Sequence, residues 1–127
     1  VLTEIWRTNN MFDKYVNQWV LPKKFRQDWI EALESNKYEQ TQGALCEISD
    51  AKSSYCALGV ACKVLGYADE DLDGILGFSS ETRWNEIPNN LKDRDELCGV
   101  IVQMNDDECL DFNQIADWIK QATYSDE

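Results

Sequence analysis

The hydrophobic residues of this chain recur mostly at the three- and four-residue spacing of an α-helix. Four amphipathic stripes have this spacing, and each predicts one helix. The first helix should end near Leu21, and the second should carry Pro22 in its first turn and stop near Asn36. The stripes consist of Phe12, Tyr15, Val16, Trp19 and Val20; of Phe25, Trp29, Ile30 and Leu33; of Leu97, Val100, Ile101 and Met104; and of Phe112, Ile115, Ala116 and Ile119.

A fifth helix is predicted over the segment YCALGVACKVLG, residues 55–66. Its apolar residues lie on all sides, which is typical of a central buried helix. Ser53 or Ser54 is expected to cap its start, and Gly66 is expected to end it. Gly59 within it costs about 1 kcal/mol of helix stability relative to alanine, so we expect a neighbouring element to approach closely there.

The remaining segments lack helical periodicity. Residues 43–48 are predicted to form a short strand that pairs with residues near Tyr55. Residues 77–92 are predicted to form a loop anchored by Trp84, Ile87 and Leu91. The expected fold class is therefore mainly α. We expect one globular domain over residues 1–127, with five or six helices, a small two-stranded β element near residues 44–55, and a frayed end over 123–127.

Composition agrees with a packed domain. The chain has 127 residues, 43% of them hydrophobic, and only two prolines, which argues against disorder. No apolar run approaches the roughly 20 residues needed to span a bilayer, and no signal-peptide pattern opens the chain. These features predict a cytoplasmic protein with no membrane contact.

The net charge lies entirely in the second half of the chain. Residues 1–63 carry eight acidic and eight basic side chains, whereas residues 64–127 carry sixteen acidic and four basic ones, which gives the net charge of −12. The acids form three bursts, at 69–73, 93–96 and 106–111. Such a surface repels nucleic acid and attracts basic proteins, so a protein partner is expected and direct nucleic-acid binding is not.

Acids at 93 and 111 also look like helix starts. Asp93 with Glu96, and Asp111 with Gln114, have the spacing of a capping box with aspartate in the place of serine. Helix starts of this kind account for one or two acids in each burst, and the additional acids call for another explanation.

The chain has no histidine and five cysteines. The missing histidine removes the usual general base and the commonest metal ligand, so an enzyme is not the favoured class. No two cysteines have the C-x-x-C spacing of a zinc site, and we expect them to pack in the core as free thiols.

Two of the bursts have further interpretations. Asp69, Asp71 and Asp73, followed by Gly74, match the first half of a calcium loop, although the twelfth position holds Ser80 and not an acid. Calcium at these three aspartates is thus the alternative to an acid-started helix, and no other cofactor is expected. The group from Asp106 to Asp111 could instead serve as paired carboxylates of a small enzyme.

Candidate partner-binding residues complete the predicted site. Trp84 lies in the predicted loop and Tyr38 in a non-helical segment, and exposed aromatic residues beside an acidic rim are typical of protein interfaces. With the acids of the third burst, the predicted partner-binding set is Tyr38, Trp84, Asp106, Asp107 and Glu108.

Three stretches of the chain resemble one family of small proteins common in bacteriophage genomes and bacterial prophages. They are WIEALESNKYEQTQGAL at 29–45, YCALGVAC at 55–62, where the family signature reads Tyr-Cys-Cys-Leu-Gly-Val-x-Cys, and MNDDECLDFNQIADWI at 104–119. Ala57 stands where the signature has its second cysteine. The resemblance implies a phage or prophage accessory protein in a bacterial host cell, and it implies no activity. The function expected is binding of a host or phage protein through the acidic half, with mimicry of nucleic acid as one version.

Overall fold

The computed structural model of the protein describes residues 11–75 and 95–125. The described residues contain five α-helices, and the last turn of the fourth continues as a π-helix over Gln103–Asp107. A 3₁₀ turn, Met11–Lys14, opens the described chain. The helices are α1 (Lys23–Glu34), α2 (Ala57–Val64), α3 (Asp69–Leu72), α4 (Asp95–Val102) and α5 (Phe112–Ala122).

Strands contribute more to the fold than the predicted two-stranded element. The strands are β1 (Trp19–Leu21), β2 (Glu39–Gln40), β3 (Cys46–Ser49), β4 (Lys52–Tyr55) and β5 (Thr123–Ser125). One sheet has the order β2-β4-β3, with β2 parallel and β3 antiparallel to β4. A second, parallel sheet pairs β1 with β5 from opposite ends of the described chain. The mainly helical class is thus correct, and the predicted two-stranded element near residues 44–55 is present as β3 and β4, but it is only part of the strand content.

The predicted first helix is absent, because the chain turns between Lys14 and Trp19. Asn17 has a positive φ of 47°, a conformation that interrupts a helix. The next residue, Gln18, donates its backbone N–H to the carbonyl oxygen of Ala122 at 2.6 Å, and β1 follows. Trp19 still packs against the core, since its ring centroid lies 6.0 Å from that of Trp118, whereas Val16 is exposed.

The frayed end predicted after Ala122 is also wrong for residues 123–125. Thr123 pairs with Trp19, and its hydroxyl donates to the Ile119 carbonyl oxygen at 2.6 Å. The Arg26 Nε donates to the same hydroxyl oxygen at 2.9 Å, which ties β5 to α1. Residues 126 and 127 lie outside the described residues.

Helix α1 follows the sequence closely. Its buried residues are the predicted Phe25, Trp29, Ile30 and Leu33. Pro22 stands immediately before the first helical residue, and Asn36 has the left-handed φ of 62° that favours a helix end. The apolar spacing alone was sufficient to predict the buried residues of α1, because one side of the helix faces the core and the other faces water.

Helix α2 is the central element, as predicted. Six of its eight residues are buried, and it packs against α1 and α4. A Cβ at Gly59 would overlap the carbonyl oxygen of Leu45, so the predicted close approach is confirmed. The predicted cap is wrong: Ser53 and Ser54 lie in β4, and Cys56 is the residue before the helix.

The remaining predictions divide by location. The β3–β4 hairpin confirms the strand predicted within 43–48, and Asp50 and Ala51 form its turn with positive φ angles. The cysteines have free thiols, and all but Cys109 are buried. Within 11–75 and 95–125, no helix is both long and apolar enough to cross a membrane. The predicted loop over 77–92 and the capping box at Asp93 involve residues outside those ranges.

Candidate functional site

The first acidic burst is joined to the three-stranded sheet through Asp69. The Asp69 carboxylate accepts hydrogen bonds from the Ser53 hydroxyl at 2.7 Å and the Tyr55 hydroxyl at 2.9 Å. The Lys63 ammonium lies 2.9 Å from Asp69 Oδ1. The hydrogen bond from Lys63, followed by those from Ser53 and Tyr55, lowers the pKa of Asp69. Asp69 therefore connects α3 to β4 and to the end of α2.

The Cys46 thiol and the Tyr55 phenol, both near Asp69, are held in their neutral forms. Burial raises the pKa of Tyr55 to about 12, and the hydrogen bond to Asp69 adds to this shift. Burial, with the charges of Asp69 and Asp73, raises the pKa of Cys46 to about 11. A thiol with so high a pKa is a poor nucleophile at neutral pH.

The other two predicted calcium ligands point to different surroundings. Asp73 Oδ1 accepts the backbone N–H of Ile48 at 3.1 Å, while Asp71 is exposed. In the part of the chain that the structure describes, no group of three or more histidine, cysteine, aspartate or glutamate residues could hold a metal ion. Calcium at Asp69, Asp71 and Asp73 stays a prediction, and it would require the ion to replace the Lys63 ammonium.

The third burst surrounds the π-helical turn at the end of α4. Asp106 is half-buried, and its Oδ1 accepts the Nδ2–H of Asn105 at 2.7 Å. Asp107 and Glu108 are exposed. Asp111 accepts the Gln114 backbone N–H at 2.8 Å while Gln114 Oε1 accepts the Asp111 N–H at 3.0 Å, which confirms the predicted capping box of α5.

The described acids of the three bursts lie at two ends of the central helix. Asn105, beyond the end of α4, accepts the N–H of Ala57 at the start of α2 at 3.2 Å. Cys98, near the start of α4, is close enough to Cys62, near the end of α2, to influence its pKa. Helices α2 and α4 are therefore antiparallel. The first burst follows the end of α2, so it shares that end with Asp95 and Glu96, and the third burst lies at the opposite end.

The separation of the two ends follows from the length of α2. Eight helical residues at about 1.5 Å each span roughly 12 Å. Among the acids of the bursts, Asp73 and Asp111 are exposed but accept hydrogen bonds from backbone N–H groups. The other exposed acids of the bursts, within the described residues, form two groups. We define the first acidic group as Glu70, Asp71, Asp95 and Glu96, and the second acidic group as Asp107 and Glu108.

Tyr38 was predicted as an exposed partner-binding residue, but it lies in a partly buried environment. It is half-buried, and its ring packs edge-on against Tyr55 with the centroids 5.3 Å apart. It also lines a groove of about 400 Å³ with Asp28, Glu31 and Lys37. Tyr38 therefore supports the sheet as well as a surface groove. Trp84, the other predicted aromatic contact, lies outside the described residues.

The residue that sequence reasoning missed is Asn105. It is 1% exposed, and its Oδ1 accepts hydrogen bonds from Gln40 Nε2 at 2.9 Å and from the Ala57 N–H. Its Nδ2 donates to the Thr41 carbonyl oxygen at 2.9 Å as well as to Asp106. A signal was present, because Asn105 is a polar residue four positions after Ile101 on an apolar stripe.

The three stretches for which a family resemblance was predicted meet around Asn105 and α2. Gln40 of the first stretch also donates to the Leu110 carbonyl oxygen of the third at 2.8 Å. The indole N–H of Trp29 donates to the Ala57 carbonyl oxygen at 3.0 Å, and Leu45 contacts Gly59. Packing thus accounts for these buried positions. The exposed acids, including Asp107 and Glu108 within the third stretch, are the better candidates for function.

No protein-family model matches the chain, and no significant similarity to a curated protein or to a solved structure was detected. The candidate site therefore depends on the geometry described above.

Proposed function

We propose that this protein is a non-enzymatic phage or prophage accessory protein that binds a host or phage protein with a basic surface. The observation that carries the proposal is that some acids of the bursts accept hydrogen bonds within the fold, whereas others are exposed. Asp69, Asp73, Asp106 and Asp111 each accept a hydrogen bond that holds the fold together. The six carboxylates of the two acidic groups are exposed beside them. Exposed like charges close together oppose folding through mutual repulsion, so a binding role is a reason for their presence.

The exposure of both groups supports the version in which the protein mimics nucleic acid. Proteins that bind nucleic acid neutralise its phosphates with lysine and arginine side chains. A basic surface of this kind would meet two groups of exposed carboxylates on this protein.

The proposal is tested by capture followed by a binding measurement. The immobilised protein is exposed to bacterial lysate at about 50 mM salt, and the proteins released at about 500 mM are identified and purified. Their affinity is then compared for the wild type, the Glu70→Gln/Asp71→Asn variant and the Asp107→Asn/Glu108→Gln variant. A matched control, Asp28→Asn/Glu31→Gln, removes the same charge from α1.

We expect each acidic-group variant to bind at least about tenfold more weakly, the control to bind like the wild type, and double-stranded DNA to compete. Failure to capture a basic protein would contradict the proposal. So would an affinity that does not change between about 50 and 300 mM salt, or a loss of binding that is equal in the control.

A further inference from the structure

We draw no further inference here: the strongest candidate, the groove between α1 and β5 lined by Lys23, Arg26 and Lys120, carries none, because Lys120 is paired with Glu34 and Glu31 also lines the groove, so its charge selects no class of ligand and nothing in the structure shows what covers it.

Discussion

At position 59 the backbone of α2 touches the backbone of the segment before β3. Alanine in a helix interior is normally more stable than glycine by about 1 kcal/mol. Here the added methyl would overlap the carbonyl oxygen of Leu45, which is main chain and cannot rotate away. We expect Gly59→Ala to lower the free energy of unfolding by about 2–4 kcal/mol, as measured by urea denaturation.

Gly99 supplies the control for this substitution. It lies within α4, it is exposed, and a Cβ there would have no atom within 4 Å. Gly99→Ala should therefore be neutral or stabilise the protein by up to about 1 kcal/mol. A loss of stability of the same size in both variants would show that the contact with Leu45 is not the cause.

Asn105 is the second residue whose substitution should strongly lower the stability of the protein. Replacing it with alanine leaves the Ala57 N–H and the Thr41 carbonyl without this partner inside the protein. A buried polar group that loses its partner costs about 1–3 kcal/mol, and more than one such group is involved. We expect Asn105→Ala to reduce the free energy of unfolding by about 2–4 kcal/mol.

The comparison for Asn105 is Asn113→Ala, on the exposed side of α5. That change should stay within about 0.5 kcal/mol of the wild type in the same urea measurement. Equal effects at the two positions would contradict the assignment of Asn105 as the polar centre of the fold.

At the scale of elements, the helices predicted best from the sequence are those with one exposed and one buried side. Helix α1 and the later helices α4 and α5 have this character, and their buried residues were identified from spacing. The stripe from Phe12 to Val20 has the same spacing but no helix. Phe12 is buried in a 3₁₀ turn and Trp19 is half-buried in β1, while Val16 is exposed. Strand β1 pairs with a strand about a hundred residues away. A strand of three residues is too short to display a two-residue period.

The helix caps show a related limit. Ser53 and Ser54 have the composition of a cap, yet pairing with β3 takes their backbone groups into a sheet. Local propensity indicated a helix start, and the tertiary contact overrode it. At Asp111, where no strand competes, the same kind of local signal was correct.

The attachment of α3 to β4 gives a prediction for acid conditions. The pKa of Asp69 is lowered in the folded protein, chiefly by Lys63, whereas in the unfolded chain it returns to about 3.9. The folded state therefore binds fewer protons, and the stabilisation by Asp69 is present above that value and is lost as the pH falls through the lowered pKa. Asp69→Asn should reduce stability most near pH 7 and progressively less below about pH 4.

Urea denaturation of both proteins at several pH values between about 2 and 7 measures this difference. Asp71→Asn, which changes an exposed neighbour on the same helix, is the control and should show little effect at any pH. A constant difference between wild type and Asp69→Asn across the range would mean that the ionised carboxylate is not what joins α3 to β4.

At the scale of the whole molecule, the acidic bursts were visible in the sequence but their arrangement was not. Counting acids could not show that Asp69 and Asp73 bind the sheet while Glu70 and Asp71 are exposed. It also could not show that the 69–73 and 106–111 bursts lie at opposite ends of α2, because that depends on the antiparallel packing of α4. The groove lined by Lys23, Arg26 and Lys120 was equally hidden, since these residues come from helices far apart in the chain.

The exposed acids and the structural acids should separate in a stability measurement. Neutralising Glu70, Asp71, Asp107 and Glu108 together as Glu70→Gln/Asp71→Asn/Asp107→Asn/Glu108→Gln removes exposed like charges from a protein of net charge −12. We expect this variant to be as stable as the wild type or more stable, most clearly at about 20 mM salt, where repulsion is least screened. The advantage should shrink at about 300 mM salt. A loss of more than about 1 kcal/mol at either salt concentration would show that these acids hold the fold. If stability is kept while binding to a basic partner is lost, the surplus acids are there for recognition, because natural proteins commonly give up stability at the surfaces they use.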